Sequence, residues 1–341
     1  MGLHSKIKRV CVTYNWEEMP YGELLNILKC KDKVKDALIE MGFRVTDISI
    51  EVDDFMNGRI REKILSQNSQ LIFNLFEGFD GDSQKEAVFV EILEGMHIPF
   101  TGNASKTLSL CVNKDEVKKI LTKEKMSTPK GIVVRSFDDF NFNHRLKFPL
   151  MVKPCFEDGS MGIDEASYIL NKEILCEVLK IKLKKFPQGL IVEEFIGQKE
   201  YSVGLLGNNP YQVLGISVID YRKYKKFLPF LTYNSKWEKR ALEYKKIIPK
   251  TKLRLNKNLK EKLIENAFKV GRIFSCKGYF RVDFREDQRG IFIIDVNPNP
   301  DISEDAGFAK QAYSKGYRYK DLIYEIVSLA IKNYTYRKSF S

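Results

Sequence analysis

Two strand-like runs late in the chain restrict the fold more than any other stretch. Tyr279 to Arg285 alternates apolar and polar residues, the pattern of a strand with two unlike faces. Ile291 to Val296 is mostly apolar and runs into Asn297-Pro298-Asn299-Pro300-Asp301. Between them, Glu286-Asp287-Gln288-Arg289-Gly290 has the composition of a hairpin loop. Pairing the two strands brings Asp283, Asp295 and Asn297 to one end of the hairpin. Two carboxylates and an amide oxygen are a hard-oxygen set, suited to Mg²⁺ with bound phosphates rather than to zinc. Arg281 projects from the same face as Asp283, because side chains two apart on a strand share a side.

Upstream, Arg9 to Thr13, Phe43 to Ile50 and Leu71 to Phe76 read as strands. Helical spacing lies between them over Leu24 to Met41, with the polar run Lys29 to Lys33 a candidate interruption, and over Ile60 to Leu65. This β-α-β alternation predicts a small doubly wound α/β domain with a functional loop at Glu77 to Asp82. Asn113 to Lys125 reads as an amphipathic helix. From Gly131 the texture changes to short strands (131–134, 150–153, 190–195, 200–206, 212–218), with a helix over Lys172 to Leu183. Leu228 to Lys252 has no clean period and reads as a lid or a disordered loop. Leu259 to Phe274 and Tyr319 to Ile331 read as helices, and 333–341 as a loose tail. Boundaries near 102 and 205 divide the chain into 1–102, 103–205 and 206–341.

The chain has 341 residues, of which 43% are hydrophobic, enough for a sizeable core in two or three domains. No apolar run reaches membrane-spanning length, and the N-terminus lacks an apolar signal core, so no membrane partner is expected. The six cysteines are scattered without a C-x-x-C pair, as in a cytosolic (cytoplasmic) protein with reduced thiols. A net charge of +12 admits nucleic acid, a membrane surface or an acidic small molecule. No helix-turn-helix, zinc-finger or aromatic RNA-platform motif accompanies it, which argues against nucleic acid.

Several earlier residues bear on phosphate or nucleotide chemistry. Lys153 ends an apolar strand and precedes a loop containing Gly159, Ser160 and Gly162. Such a loop presents backbone N–H groups and one ammonium to phosphates, although an ordinary hairpin loop has the same look. It is not a P-loop, since the G-x-x-x-x-G-K-[ST] order is absent. Glu193, Glu194, Phe195 and Ile196, with Glu200, follow the next strand; acids there accept from an adenine amino group or ribose hydroxyls, and a charged turn fits equally. Lys114, at a helix head, is within reach of a phosphate only if the fold brings one near.

The segments 98–102, 113–114, 150–154, 159–162, 191–195, 281–283 and 295–298, in this order and spacing, resemble the ATP-grasp superfamily, and within it the D-alanine–D-alanine ligase-like branch. The resemblance implies a three-domain ATP-grasp fold with an N-terminal substrate domain and ATP held between the central and C-terminal domains. It implies that Lys114 and Lys153 contact phosphates and that the Gly159–Ser160–Gly162 loop covers them. Glu193, Glu194, Phe195 and Ile196 would surround adenine, and Glu200 would meet the ribose. Asp283, Asp295 and Asn297 would hold Mg²⁺, or Mn²⁺ in its place. Arg281 would steady an acyl phosphate and its oxyanion, and Lys236 looks like the lysine of the family's mobile lid. The implied activity is ATP-dependent ligation of a small carboxylate to an amine through an acyl phosphate, in a family that often forms homodimers. A phosphotransferase and a non-catalytic ATP-binding protein are the alternatives.

The chain departs from the dipeptide ligases at several points. Asp301 stands where they have a glycine, Ala306 near a serine, Glu77 in place of a histidine, Asp295 in place of a glutamate, and Trp237 in place of a tyrosine. The run from Asp301 to Ala306 also holds Glu304 and Asp305, and two or three acids there repel a free carboxylate and favour a cationic acceptor, so D-alanine is not the expected acceptor.

Overall fold

A computed structural model describes residues 7–17, 21–79, 82–138, 140, 145–238, 240–251 and 254–338. The first sheet contains β1 (Arg9–Asn15), β2 (Arg44–Ile50) and β3 (Leu71–Leu75), parallel and in the order β2-β1-β3. Val10, Cys11 and Val12 of β1 are buried, as a central parallel strand covered on both faces requires. The helix Tyr21–Glu40 passes through Lys29 to Lys33 without the expected interruption. Val34, Ala37 and Leu38 anchor its buried side, while Lys31 lies over the Tyr14 ring and Lys33 pairs with Glu304. Apolar anchoring therefore outweighs the polar run. Asp80 and Gly81, in the predicted functional loop, lie outside the described residues.

The second sheet is antiparallel: β4 (Gly131–Val134), β5 (Leu150–Pro154), β6 (Tyr168–Ile169) and β7 (Leu190–Glu194), ordered β4-β7-β5-β6. The helix Lys172–Lys185 covers one face of it, with Leu175 and Leu179 buried against Val152 and Val192. The third sheet is also antiparallel: β8 (Lys199–Gly207), β9 (Tyr211–Asp220), β10 (Tyr279–Asp287) and β11 (Gly290–Pro298), ordered β11-β10-β8-β9. The division placed at 205 falls inside β8, whose whole length pairs in this sheet; the chain crosses between sheets just before it.

One face of the third sheet is dry. Tyr201, Val203, Phe280, Val282 and Phe284 pack there against the helices Lys257–Ile273 and Lys114–Lys123. On the other face the helix Gly307–Ser314 lies directly on the backbone of β8 and β9. A Cβ at Gly204 would sit 2.1 Å from Gln311 Oε1, and one at Gly215 would sit 2.8 Å from Gln311 Cβ. Two glycines thus allow the helix its close seat, and Gln311 Nε2 donates to the Ser202 carbonyl and to Ser217 Oγ.

The last helix runs Tyr319–Lys338, so the segment expected as a loose tail is helical up to Lys338. Leu322, Ile323, Ile326 and Val327 share one core with Val12, Leu38 and Phe73 of the first unit. That shared core is why the helix persists; truncating one of these leucines or isoleucines to alanine costs about 2–5 kcal/mol. The region 228–252 contains two short helices, Tyr233–Trp237 and Leu242–Lys246, and Lys250 bridges to Val218. Five-residue helices are too short to show a period, which explains the lack of one in the sequence. The Trp237 side chain lies outside the described residues.

Candidate active site

The β10–β11 register sets Asp283 opposite Asp295 and Arg281 opposite Asn297, as the hairpin pattern predicts. Arg281 Nε and Nη2 donate to the two Asp283 oxygens at 2.8 and 2.8 Å, and Asn297 Nδ2 donates to Asp283 Oδ2 at 2.8 Å. Asp295 accepts from the Val296 N–H at 3.1 Å, and its cationic neighbour is Lys114, 3.8 Å away. Burial pushes both carboxyls up; beside Arg281, Asp283 nevertheless ends below the usual range. For Asp295 burial prevails over Lys114, with Asp158 adding to it, and its pKa is raised.

Lys114 opens its helix, whose first turn is capped by Asn113 Oδ1 accepting from Glu116 N. Its backbone N–H donates to the Cys155 carbonyl at 3.0 Å, tying the helix to the end of β5. One turn on, Lys118 reaches Glu193 at 3.0 Å, and Lys153 reaches the other Glu193 oxygen at 2.6 Å. Burial alone would raise the Glu193 carboxyl, but the two ammonium groups hold it down at about 2. Lys118 is not among the residues that the sequence singles out; its spacing of four from Lys114 on an amphipathic helix is the available signal.

Glu194 departs from expectation. Successive strand residues face opposite ways, so its buried side chain turns from Glu193 toward Arg289, 3.1 Å away, and the Lys147 N–H. Phe195 stands edge-on to Tyr168, with ring centres 4.9 Å apart, and Ile196 is buried. Glu200 accepts from Arg285 and from the Tyr221 hydroxyl, each at 3.3 Å.

Lys114, Lys153, Glu193 and Asp295 line a small space. A cleft of about 1560 Å³ takes Gly159, Gly162, Glu200, Lys236, Arg281, Asp283 and Asn297. The facing pair Asp283 and Asp295 therefore contributes one carboxylate to each. Ser160 belongs to the loop but lines neither space. Gly159, Ser160 and Gly162 have φ of 60°, 69° and 70°, and a Cβ at Gly162 would meet the Phe186 ring at 2.5 Å. Lys182 Nζ holds the Gly162 carbonyl at 2.7 Å. The Tyr233 N–H donates to the Ile163 carbonyl at 3.0 Å, so the 228–252 region rests on this loop. Lys236 enters the cleft, where burial and then Arg281 push its pKa down.

At the far end of the cleft stand Glu77, Glu86 and Asp301. Among the described residues none of the three forms an ion pair with a lysine or arginine. Burial, then Asp301, Glu86 and Asp158, push Glu77 well above the usual range. Burial brings Glu86 to about 8 although Asn299 donates to it at 2.7 Å. Asn299 Oδ1 also accepts from the Asn103 N–H at 2.8 Å, fixing the loop that carries Asp301.

A hard divalent cation fits the hairpin. Asp283, Asp295 and Asn297 supply oxygen only, and Asp295 has no short ion pair to give up. Among the described residues no three His, Cys, Asp or Glu side chains cluster as metal ligands, and Asn297 stands beside Asp283 with its Nδ2 donating to it.

A family model described as "D-ala D-ala ligase C-terminus" matches residues 121–328. A D-alanine–D-alanine ligase from Carboxydothermus hydrogenoformans is 29% identical over 315 residues, covering 89% of this chain and 93% of that protein. The D-alanine–D-alanine ligase of Bacillus anthracis, solved in complex with ATP, superimposes with a TM-score of 0.76 at 20% identity, over 97% of this chain and 99% of that one. The VanG D-Ala:D-Ser ligase of Enterococcus faecalis gives a TM-score of 0.71 at 17% identity, over 95% and 100%. At these identities the two solved structures speak to the fold, which is the ATP-grasp fold. Among the described residues no helix is long and apolar enough to cross a membrane.

Proposed function

We propose, since the chain belongs to the D-alanine–D-alanine ligase-like family of ATP-grasp enzymes, that it joins a small carboxylate to an amine through an acyl phosphate. The family consists of ATP-dependent ligases that form C–N bonds with the help of a divalent metal, and this chain is one of them. The observation that carries the finer reading is the convergence of Lys114, Lys153, Arg281, Asp283, Asp295 and Asn297 on one hairpin and its neighbouring strand end.

In this reading a carboxylate oxygen attacks the γ-phosphorus of ATP, and the bond to the β-phosphate oxygen breaks to leave ADP. The amine then attacks the acyl carbon; phosphate departs and the amine proton is lost to solvent. Lys114 and Lys153 hold the phosphates, and the Gly159–Gly162 loop closes over them. Phe195 and Ile196 flank adenine, Glu193 accepts from its amino group, and Glu200 accepts from the ribose. Arg281 offsets charge on the acyl phosphate and on the oxyanion that follows. Lys236 closes the cleft from the lid, excluding water from an intermediate that hydrolyses readily. A divalent ion, Mg²⁺ or Mn²⁺, held by Asp283, Asp295 and Asn297 would neutralise the triphosphate. The three-part division of the chain, with its second boundary placed ahead of β8, belongs to the same proposal.

Glu77, Glu86 and Asp301 support an acceptor other than D-alanine. Carboxyls with no basic partner at the cleft end ionise readily beside a bound ammonium and offer nothing to pair with a free carboxylate, so the acceptor is a cationic amine. The test is ADP release screened against acids paired with amino acids, short peptides and diamines, with products identified by mass spectrometry. A ligase frees inorganic phosphate when the amine is supplied. ADP formation with a stable phosphorylated product and no free phosphate would instead make the chain a phosphotransferase.

A further inference from the structure

We propose that Arg285 is a positioning residue that couples the adenine–ribose end of the nucleotide site to the root of the 228–252 lid. The proposal rests on the ATP-binding reading above. In sequence Arg285 sits on a polar position of an alternating strand. In the structure it is only 4% exposed, and it stands opposite Glu200 across β10 and β8.

Its guanidinium joins three separate pieces of chain. Nε and Nη2 each donate to Glu200 Oε2 at 3.3 Å. Nη1 donates to the carbonyls of Ile196 and Gly197, at 3.2 and 3.4 Å, in the crossing from β7 to β8. Nη2 also donates to the Pro229 carbonyl, where the lid begins. The rings of Phe195 and Tyr221 lie 4.4 and 5.2 Å from the guanidinium carbon. Phe230, next to Pro229, packs against Phe195 and Tyr168.

Arginine is suited to this place because its planar fork presents five donors in fixed directions, which one ammonium cannot do. A ribose hydroxyl donating to Glu200 shares that carboxylate with Arg285. Adenine seated at Phe195 and Ile196 rests on groups that Arg285 already orients. Nucleotide occupancy thereby restricts the guanidinium, and the guanidinium restricts Pro229. Tyr233 on Ile163 and Lys250 on Val218 add backbone bonds further along the lid, and Ile247 packs with Ile219 and Tyr221 near its end. Arg285 thus ties the lid's root to the nucleotide through hydrogen bonds, beside the packing of Phe230 on Phe195.

The test uses Arg285→Lys and Arg285→Met in the full-length protein. Tryptic cleavage within 222–254 is followed with and without saturating Mg·ATP, beside steady-state kinetics and thermal melting. In the wild type, nucleotide should protect the segment. In Arg285→Lys the KM for ATP should rise about tenfold, the scale of a lost charge-assisted hydrogen bond. Its protection at saturating nucleotide should also fall several-fold, and kcat should drop. Arg285→Met should go further; if it does not fold, Arg285→Lys alone decides. Full protection at saturation, whatever the change in melting temperature, would mark Arg285 as merely structural and overturn the proposal. A wild type that binds no ATP would overturn the ATP-binding reading itself, and the coupling with it. A wild type that binds ATP yet gains no protection would sink the coupling alone.

Discussion

Asp283 and Asp295 face each other across β10 and β11, yet their surroundings push their acidities in opposite directions. Arg281 holds Asp283 ionised, whereas burial favours the neutral form of Asp295. Paired carboxyls with diverging environments are a frequent mark of divided roles in active sites. On the proposed reading, Asp283 orients the arginine and Asp295 is the carboxylate a cation would recruit.

Asp295→Asn should therefore lower ADP release about a hundredfold or more while leaving the melting temperature nearly unchanged. Asp283→Asn should also unfold more easily, because it strands a half-buried arginine, at a cost of about 3–5 kcal/mol. Equal melting losses in the two variants would contradict this division. Because a metal ligand must be deprotonated, the raised pKa of Asp295 predicts a larger Mg²⁺-induced rise in melting temperature at pH 8 than at pH 5.5.

Lys118 should matter through Glu193. Lys118→Met removes one of the two ammonium groups that hold this carboxyl at about 2. The KM for ATP should rise about tenfold with a smaller change in kcat. A carboxyl depressed in the folded state lends stability above its unfolded pKa, and that stability is lost as pH falls toward the folded value. The acid-unfolding midpoint of Lys118→Met should thus move to higher pH; an unmoved midpoint would separate Lys118 from Glu193.

Glu86 has the opposite sign. Its folded value near 8 lies above that of an unfolded glutamate, so stability falls as pH rises from about 4 toward 8. Glu86→Gln keeps an oxygen for Asn299 and removes the charge. Its melting temperature should exceed the wild type's by a margin that widens between pH 5 and pH 8. A margin constant with pH would mean that Glu86 does not titrate there.

Added D-alanine should not stimulate ADP release, whereas an acceptor carrying a second ammonium should. Glu77→Gln combined with Asp301→Asn should shift preference toward neutral amines, by about tenfold for each carboxyl replaced. Stimulation of the wild type by D-alanine at millimolar concentration or below would remove the acids from acceptor choice.

What the sequence discloses depends on range. Asp283, Asp295, Asn297 and Arg281 lie within one hairpin, and period-two alternation alone places them together. The link between Lys153 and Glu193 requires pairing of β5 with β7, yet strand-end positions make both visible as candidates. Arg285 is legible only as a polar residue, because its role needs β8, the β7–β8 crossing and the lid root in one place. Glu194 is misplaced for a simpler reason: two adjacent strand residues cannot both face one pocket.

Gly215 touches no proposed ligand, yet the helix Gly307–Ser314 lies flush on β8 and β9 because that position lacks a side chain: a Cβ there would meet Gln311 Cβ at 2.8 Å and the Gln311 backbone at 3.1 Å. The loop bearing Asp301 leads straight into this helix. A single methyl group added at Gly215 would lift the helix like a shim and carry the loop with it, while every residue in the cleft kept its chemistry. Selectivity for the incoming amine is then adjustable from beneath the floor of the enzyme, at a site that a survey of the cleft walls would pass over.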